Sequence, residues 1–449
     1  MHQRARPHRR ALFYFQRPPE SLFSVFHYNC AMSFDLPTYE QAAAIVAEQA
    51  RHITRIHRPP TEQRELAASS GRILAEPLRA DDDQPPFPRS TRDGYACRAV
   101  EASAHVELSV AGTTHAGQAP AGPLPSAAAW EIMTGAPVPD GADCVVMLEH
   151  IEKSANSIRL HPSRTIEAGD NLVAQGAQAF RGDQLLASGA LLGPAQIALA
   201  ASCGYANLEV FVRPRVAILT TGDELVPVDT APGPGKIRNS NASMLASLVA
   251  RAGGDPIVLA TAADTEQSLD TSLAQAMQFD MILISGGVSA GKYDLVEPAL
   301  IRLGAQFHFT GVKIQPGKPL VFGYIPRSGG SPTAKVFGLP GNPISSAVTF
   351  LLFAAPILAA LAGSHATQPR FVLAHLLRDT DRKAKPGLTR FLPALCAFDP
   401  SVNQPPQVVA IPWHGSGDLT AFAQSNCLLV IPEEANHLEA GSTVRILLH

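Results

Sequence analysis

The chain has 449 residues, of which 46% are apolar and 17% charged, enough for sizeable folded cores and for about three domains of ~150 residues each. Thirty-six Lys and Arg face 39 Asp and Glu, a net charge of -3 that excludes a basic nucleic-acid or anionic-membrane binder. Gly and Pro, 34 and 38 residues, are spread along the chain, which excludes collagen-like and low-complexity classes.

Residues 1–31 carry five arginines against Glu20 alone, and their longest apolar run, ALFYF, is too short for a signal peptide. They are read as a non-native or disordered extension, with translation starting at Met32. Helical spacing of apolar residues runs from Thr38 to Ala50, and a second helical stretch is expected over Thr61 to Ala67. Residues 32–84 and 150–208 form a helical linker region in this reading. Between them, 85–149 is rich in Gly, Pro and short apolar runs (VELSVAG, DCVVMLE), a small β domain. The linker closes on PAQIALAASCG, a helix with a glycine stop.

From 209 to 365 the pattern changes. RVAILTTG, DPIVLAT and DMILISGG read as buried strands, and SNASMLASLVARAGG and LVEPALIRLGA as helices. The alternation predicts a parallel α/β sheet with helices on both faces. The run Ala347–Ala362 contains Pro356 and falls short of a membrane span, so it reads as a buried core helix. After 366, five runs (FVLAHLL, RFLPALCAF, QVVAIPW, CLLVIP, TVRILL) predict a small barrel or sandwich reaching residue 449. Six widely spaced cysteines with no CxxC pair suit a reduced, cytoplasmic protein.

The chemistry is expected at the strand ends. SGGVSAGKYD (285–294) follows a strand and precedes a helix, where glycines let backbone N–H groups approach an anion; Ser285, Gly286, Gly287 and Ser289 form this cradle. The string nearly spells a Walker A loop, but Tyr293 stands where the Mg²⁺-binding hydroxyl would be. Glu224 in TTGDEL, Asp264 after PIVLATAA, and Asp294 are carboxylates at strand ends of one sheet. Beside an anion they call for a hard cation, Mg²⁺. Two Pro-Gly turns, with Pro316, Gly317 and Lys318 in one and Pro340, Gly341, Asn342 and Pro343 in the other, offer a cation and a helix N-terminus. In the small β domain Asp93 and Thr134 are an acid and a hydroxyl that also serve to close turns. No HExxH or strand-borne GxGxxG supports zincins or dinucleotide enzymes.

Taken together, STRDGYA, IMTGAPVPDGADCVVMLE, LTTGDEL, LISGGVSAGKYD, IQPGKPLVFG, FGLPGNPISS and WHGSGDL resemble the molybdopterin molybdenumtransferases, the MoeA type, which includes the C-terminal part of gephyrin. The resemblance covers about Met32 to the C-terminus. It implies four units: a helical linker region, a small β domain, a molybdopterin-binding α/β domain and a C-terminal β barrel. It further implies a homodimer whose cleft is shared between the α/β domain of one subunit and the small β domain of the other. The reaction implied inserts molybdate into adenylylated molybdopterin, releases AMP and needs Mg²⁺. The adenylated substrate would come from a molybdopterin adenylyltransferase, and molybdoenzyme assembly factors would follow; no nucleic acid or membrane is implied. Asp93, Thr134, Glu224, Asp264, Asp294 and Ser416 then carry the chemistry, and Pro340 and Pro343 shape the cleft. Arg92, Gln178, Gly311, Gln315 and Pro393 depart from the family's pattern, several of them where a cation is frequent. Two other readings are an adenylyltransferase-like enzyme and a gephyrin-like scaffold.

Overall fold

A computed structural model describes residues 35–288, 295–327, 333–380, 387–398 and 405–449. The first helix, Tyr39–Ile56, starts on a capping box: Thr38 Oγ1 accepts from Gln41 N, and the Gln41 side chain accepts from Thr38 N. Its buried face, Ala42, Val46, Ala50 and Ile53, repeats at three to four residues and joins the largest core.

The helix expected over Thr61–Ala67 is not formed. Thr61–Glu65 is a strand paired antiparallel with Asn207–Phe211, and a short 3-10 turn follows over Leu66–Ser69. TEQRE has no apolar stripe to bury as a helix, so pairing with a partner that buries Leu208 and Val210 decides its conformation. Arg72, 5% exposed, bonds Glu62 and the Phe211 carbonyl and ties this ribbon down. Helix Pro194–Ser202 is present and ends on Gly204 at φ +75°. The rest of the linker region is made of short paired strands, 78–79 with 184–186 and 89–90 with 172–173.

The small β domain is a six-stranded sheet. Gly94–Cys97 lies second from one edge, between Ala128–Ile132 and the edge strand Cys144–Met147. Ile151–Lys153 and Ser157–Leu160, which lie beyond residue 149, complete the sheet.

In the α/β domain three strands run parallel to Arg215–Thr220 or to one another: Asp255–Val258, Met281–Ser285 and Ala334–Leu339. The sheet continues antiparallel through Val321–Ile325 to Gln306–Thr310. Alternate residues face opposite cores. Val216, Ile218, Leu283 and Phe337 meet helices 39–56, Ser240–Arg251 and 343–361. Ala217, Leu219, Ile282 and Val336 meet helices Glu266–Ala276 and Val296–Arg302. This double burial explains the near-continuous apolar strands.

Helix 343–361 is long and apolar enough to cross a membrane but is 83% buried inside the protein, as a core helix should be. Its middle, Phe350–Ala354, is π-helical just before Pro356, whose ring cannot donate to a carbonyl four residues back. The C-terminal unit is a closed five-stranded barrel. Thr389–Ala397 pairs with both Gln407–Ala410 and Cys427–Ile431, and Phe371–Leu376 and Thr443–Leu448 complete the ring.

Candidate active site

Three parallel strands end side by side. Thr220 is level with Ser285, and Ser285 with Leu339. The loops that leave them converge. Thr221 N donates to Ser285 O at 3.1 Å, and Gly286 N to Leu339 O at 3.1 Å. Gly286, at φ +103°, sits so close that a Cβ would lie 2.7 Å from the Thr221 carbonyl oxygen. A side chain is excluded there on two counts, close approach and backbone angle.

The three loops are stitched by a buried polar cluster that the motif reading missed. Asn241, 9% exposed near the start of helix Ser240–Arg251, donates through Nδ2 to Ser285 Oγ at 2.9 Å and to Gly341 O at 2.6 Å. Ser346 Oγ donates to Pro340 O at 2.7 Å and lies 3.2 Å from Ser285 Oγ. Ser285 is 2% exposed, so its hydroxyl serves this clamp, while the glycines after it offer backbone. Asn239 caps the same helix and donates to Thr220 Oγ1 at 2.8 Å. The sequence signal was the string RNSNASML, in which one Asn sits at the N-cap position and the next lies two residues inside.

Two acids of neighbouring turns, Asp223 and Asp264, are joined through their backbones. Asp223 N donates to Asp264 Oδ2 at 3.3 Å, and Asp264 N to Asp223 Oδ1 at 3.2 Å. The parallel bridge Thr221↔Ala262 holds the two turns in register. The Glu224 carboxylate folds back over Gly222, where a Cβ would meet Oε2 at 2.6 Å. Ser289 and Asp294 lie outside the described residues. No group of three or more His, Cys, Asp or Glu positioned for a metal occurs among the described residues. The donors present are hard carboxylate oxygens at the mouth of a glycine turn. That set suits Mg²⁺, which takes one or two carboxylates and completes its shell with water and substrate phosphate.

Pro340, Gly341, Asn342 and Pro343 lie at this point, and a Cβ on Gly341 would be 3.6 Å from Gly286 Cα. Ser416 reaches the same turn from the C-terminal unit: Asn342 Nδ2 donates to Ser416 Oγ at 2.9 Å and Ile344 N to Ser416 O at 3.0 Å. Asp418 fixes the Ser416 loop by accepting from Ala421 N and His414 N, which hold its carboxyl below the usual carboxylate range. The other Pro-Gly turn lies against the flank of helix 343–361, with a Cβ on Gly317 2.5 Å from Thr349 Cγ2. Lys318 is exposed on it, and no hydrogen bond joins that turn to Ser285–Gly287 among the described residues.

Asp93 and Thr134 meet in the small β domain. Asp93 Oδ1 accepts from Thr134 N at 2.7 Å and Thr134 Oγ1 at 2.9 Å. The backbone donor first, and the hydroxyl second, hold the Asp93 carboxyl below its ordinary range. Among the described residues no hydrogen bond or ion pair links this pair to the strand ends of the α/β domain.

Comparison with known proteins matches three family descriptions along the chain. They are the MoeA N-terminal region (domain I and II) at residues 37–204, a probable molybdopterin binding domain at 217–360, and the MoeA C-terminal region (domain IV) at 378–449. A molybdopterin molybdenumtransferase of Nostoc sp. is 35% identical over 400 residues, covering 86% of this chain and 88% of that one. One from Haemophilus influenzae is 32% identical over 414 residues, covering 91% and 98%. Among solved structures, a molybdopterin biosynthesis MoeA protein from Pyrococcus horikoshii superposes with a TM-score of 0.74 at 28% identity, covering 92% of this chain and all of that one.

Proposed function

Because the chain belongs to the MoeA family of molybdenum cofactor biosynthesis, the molybdopterin molybdenumtransferases, we propose that it inserts molybdate into adenylylated molybdopterin and releases AMP. The observation that carries this reading is the convergence of three strand-end loops at the Gly286–Gly287 turn, with Asp223 on the first of them hydrogen-bonded to Asp264 on the loop after the neighbouring strand 255–258.

The parts divide as follows. Backbone N–H groups of the glycine turn hold phosphate oxygens of the substrate. Glu224 and Asp264, with Asp294, hold Mg²⁺, which when bound neutralises phosphate charge and polarises the adenylyl bond. Pro340 and Pro343 give the Gly341 turn a fixed shape, and Asn342 and Ser416 present an amide and a hydroxyl to the oxyanion. Asp93 and Thr134 come from the partner of a homodimer. The Asp93 carboxylate stays ionised and keeps Thr134 Oγ1 oriented, so the pair reaches the cleft as a fixed acceptor and hydroxyl. The working protein is a cytoplasmic homodimer that takes its substrate from a molybdopterin adenylyltransferase and passes product to molybdoenzyme assembly factors.

Purified Glu224→Ala and Asp264→Ala proteins test the assignment. Each is expected to lose at least tenfold in molybdate insertion, the loss of about 1.4 kcal/mol of transition-state stabilisation. Full activity in either variant would remove these acids from the reaction.

A further inference from the structure

The turn that carries Glu224 holds a cation that no motif singled out. Strands Leu225–Val226 and Ile237–Arg238 pair in parallel, and the loop between them, through GPGK, folds back onto the Asp223–Glu224 turn. Ile237 N donates to Glu224 O at 2.8 Å and Asn239 N to Val226 O at 2.9 Å, which fixes the backbone on either side. Gly235, at φ +72°, makes the bend just before Lys236. Lys236 Nζ then donates to Asp223 O at 2.6 Å. Its ammonium is thus held at the rim of the acid cluster while the side chain stays exposed.

An ammonium carries three donors, and a carbonyl takes one. Lys236 has no ion pair with a carboxylate among the described residues, although Asp223, Glu224 and Asp264 surround its anchor point. The nearby carboxylates repel an incoming oxyanion. A lysine pinned at that rim supplies a positive charge on the acid loop itself.

Resting on the transferase reading above, we propose that Lys236 contacts the substrate and binds a tetrahedral oxyanion, either the phosphoryl group of the nucleotide or molybdate. The carbonyl of Asp223 aims the ammonium, and the exposed side leaves two donors for the oxyanion.

The test uses the full-length chain with Mg²⁺ and two separate probes, AMP and molybdate, in calorimetric titrations. Lys236→Gln keeps a donor for the Asp223 carbonyl but removes the charge, and Lys236→Arg keeps the charge. Lys236→Gln is expected to bind at least one probe about tenfold more weakly, with an unchanged thermal midpoint and a flatter dependence on salt. Lys236→Arg is expected to stay within about threefold of wild type. The probe that weakens identifies the oxyanion. Wild-type affinity for both probes in Lys236→Gln would overturn the proposal and leave the transferase reading standing. A wild-type protein that binds neither probe would overturn the reading and the proposal together.

Discussion

Replacing Asn241 by Ala probes the clamp that sets the strand-end loops. The amide nitrogen makes two hydrogen bonds, 2.9 Å to Ser285 Oγ and 2.6 Å to Gly341 O, each contributing about 1 kcal/mol. Ser285 keeps Ser346 as a partner, and Gly341 is exposed enough for water to replace the lost donor. One contribution has the opposite sign: Asn241 Oδ1 is buried without a partner, and its removal relieves part of a desolvation cost. The balance is a loss of about 1–2 kcal/mol, which for a domain of this size lowers the thermal midpoint by about 2–8 °C. Differential scanning calorimetry of the unliganded chain reads it directly. Ser346→Ala, which strips the buried Pro340 carbonyl of a 2.7 Å donor, should fall in the same range. A midpoint that stays put or rises in both variants would refute the claim that this cluster holds the three loops together.

Gly286→Ala should abolish insertion activity while leaving the barrel and small β domain folded, since its Cβ would press on the Thr221 carbonyl; an active variant would show that the turn need not approach so closely. Gly94→Ala, whose Cβ would overlap the Val146 carbonyl oxygen, should destabilise the small β sheet by about 3 kcal/mol, read as early loss of amide protection in Gly94–Met147. Burial lowers His308 from its ordinary 6.5 to about 4, so the folded state binds that proton more weakly than the unfolded state. Its contribution to stability is present above pH 6.5 and is lost as pH falls from about 6.5 to about 4, by about 3 kcal/mol in full. In His308→Gln the stability profile should flatten across that window, and an unchanged slope would contradict the assignment. A mixture of Asp93→Ala and Glu224→Ala subunits should recover part of the activity that each lacks alone, because one cleft of the mixed dimer then keeps both groups. No recovery after subunit exchange would argue against a shared cleft.

The sequence made the strand ends legible because buried parallel strands are continuous apolar runs, and TTGDEL, SGGV and LPGN break them at the same level of one sheet. Asp93 and Thr134 are forty-one residues apart, and only the fold shows that they share a hydrogen bond. Thr61–Glu65 was misread because a short polar segment has little pattern of its own, and its conformation comes from a partner some 146 residues away. The antiparallel strands 306–310 and 321–325 are separated by the Pro-Gly turn at 316–317, which interrupts the apolar pattern between two strands that pair across it. Asn241, Ser346 and Lys236 escaped for a related reason: buried clamps and pinned cations are defined by what they touch.

The most direct measurement of the central claim is molybdate-dependent release of AMP from adenylylated molybdopterin in the presence of Mg²⁺. The account predicts one AMP released for each molybdenum cofactor formed, and no release when molybdate is withheld. Release of AMP that ignores molybdate, or cofactor formation without AMP, would contradict it.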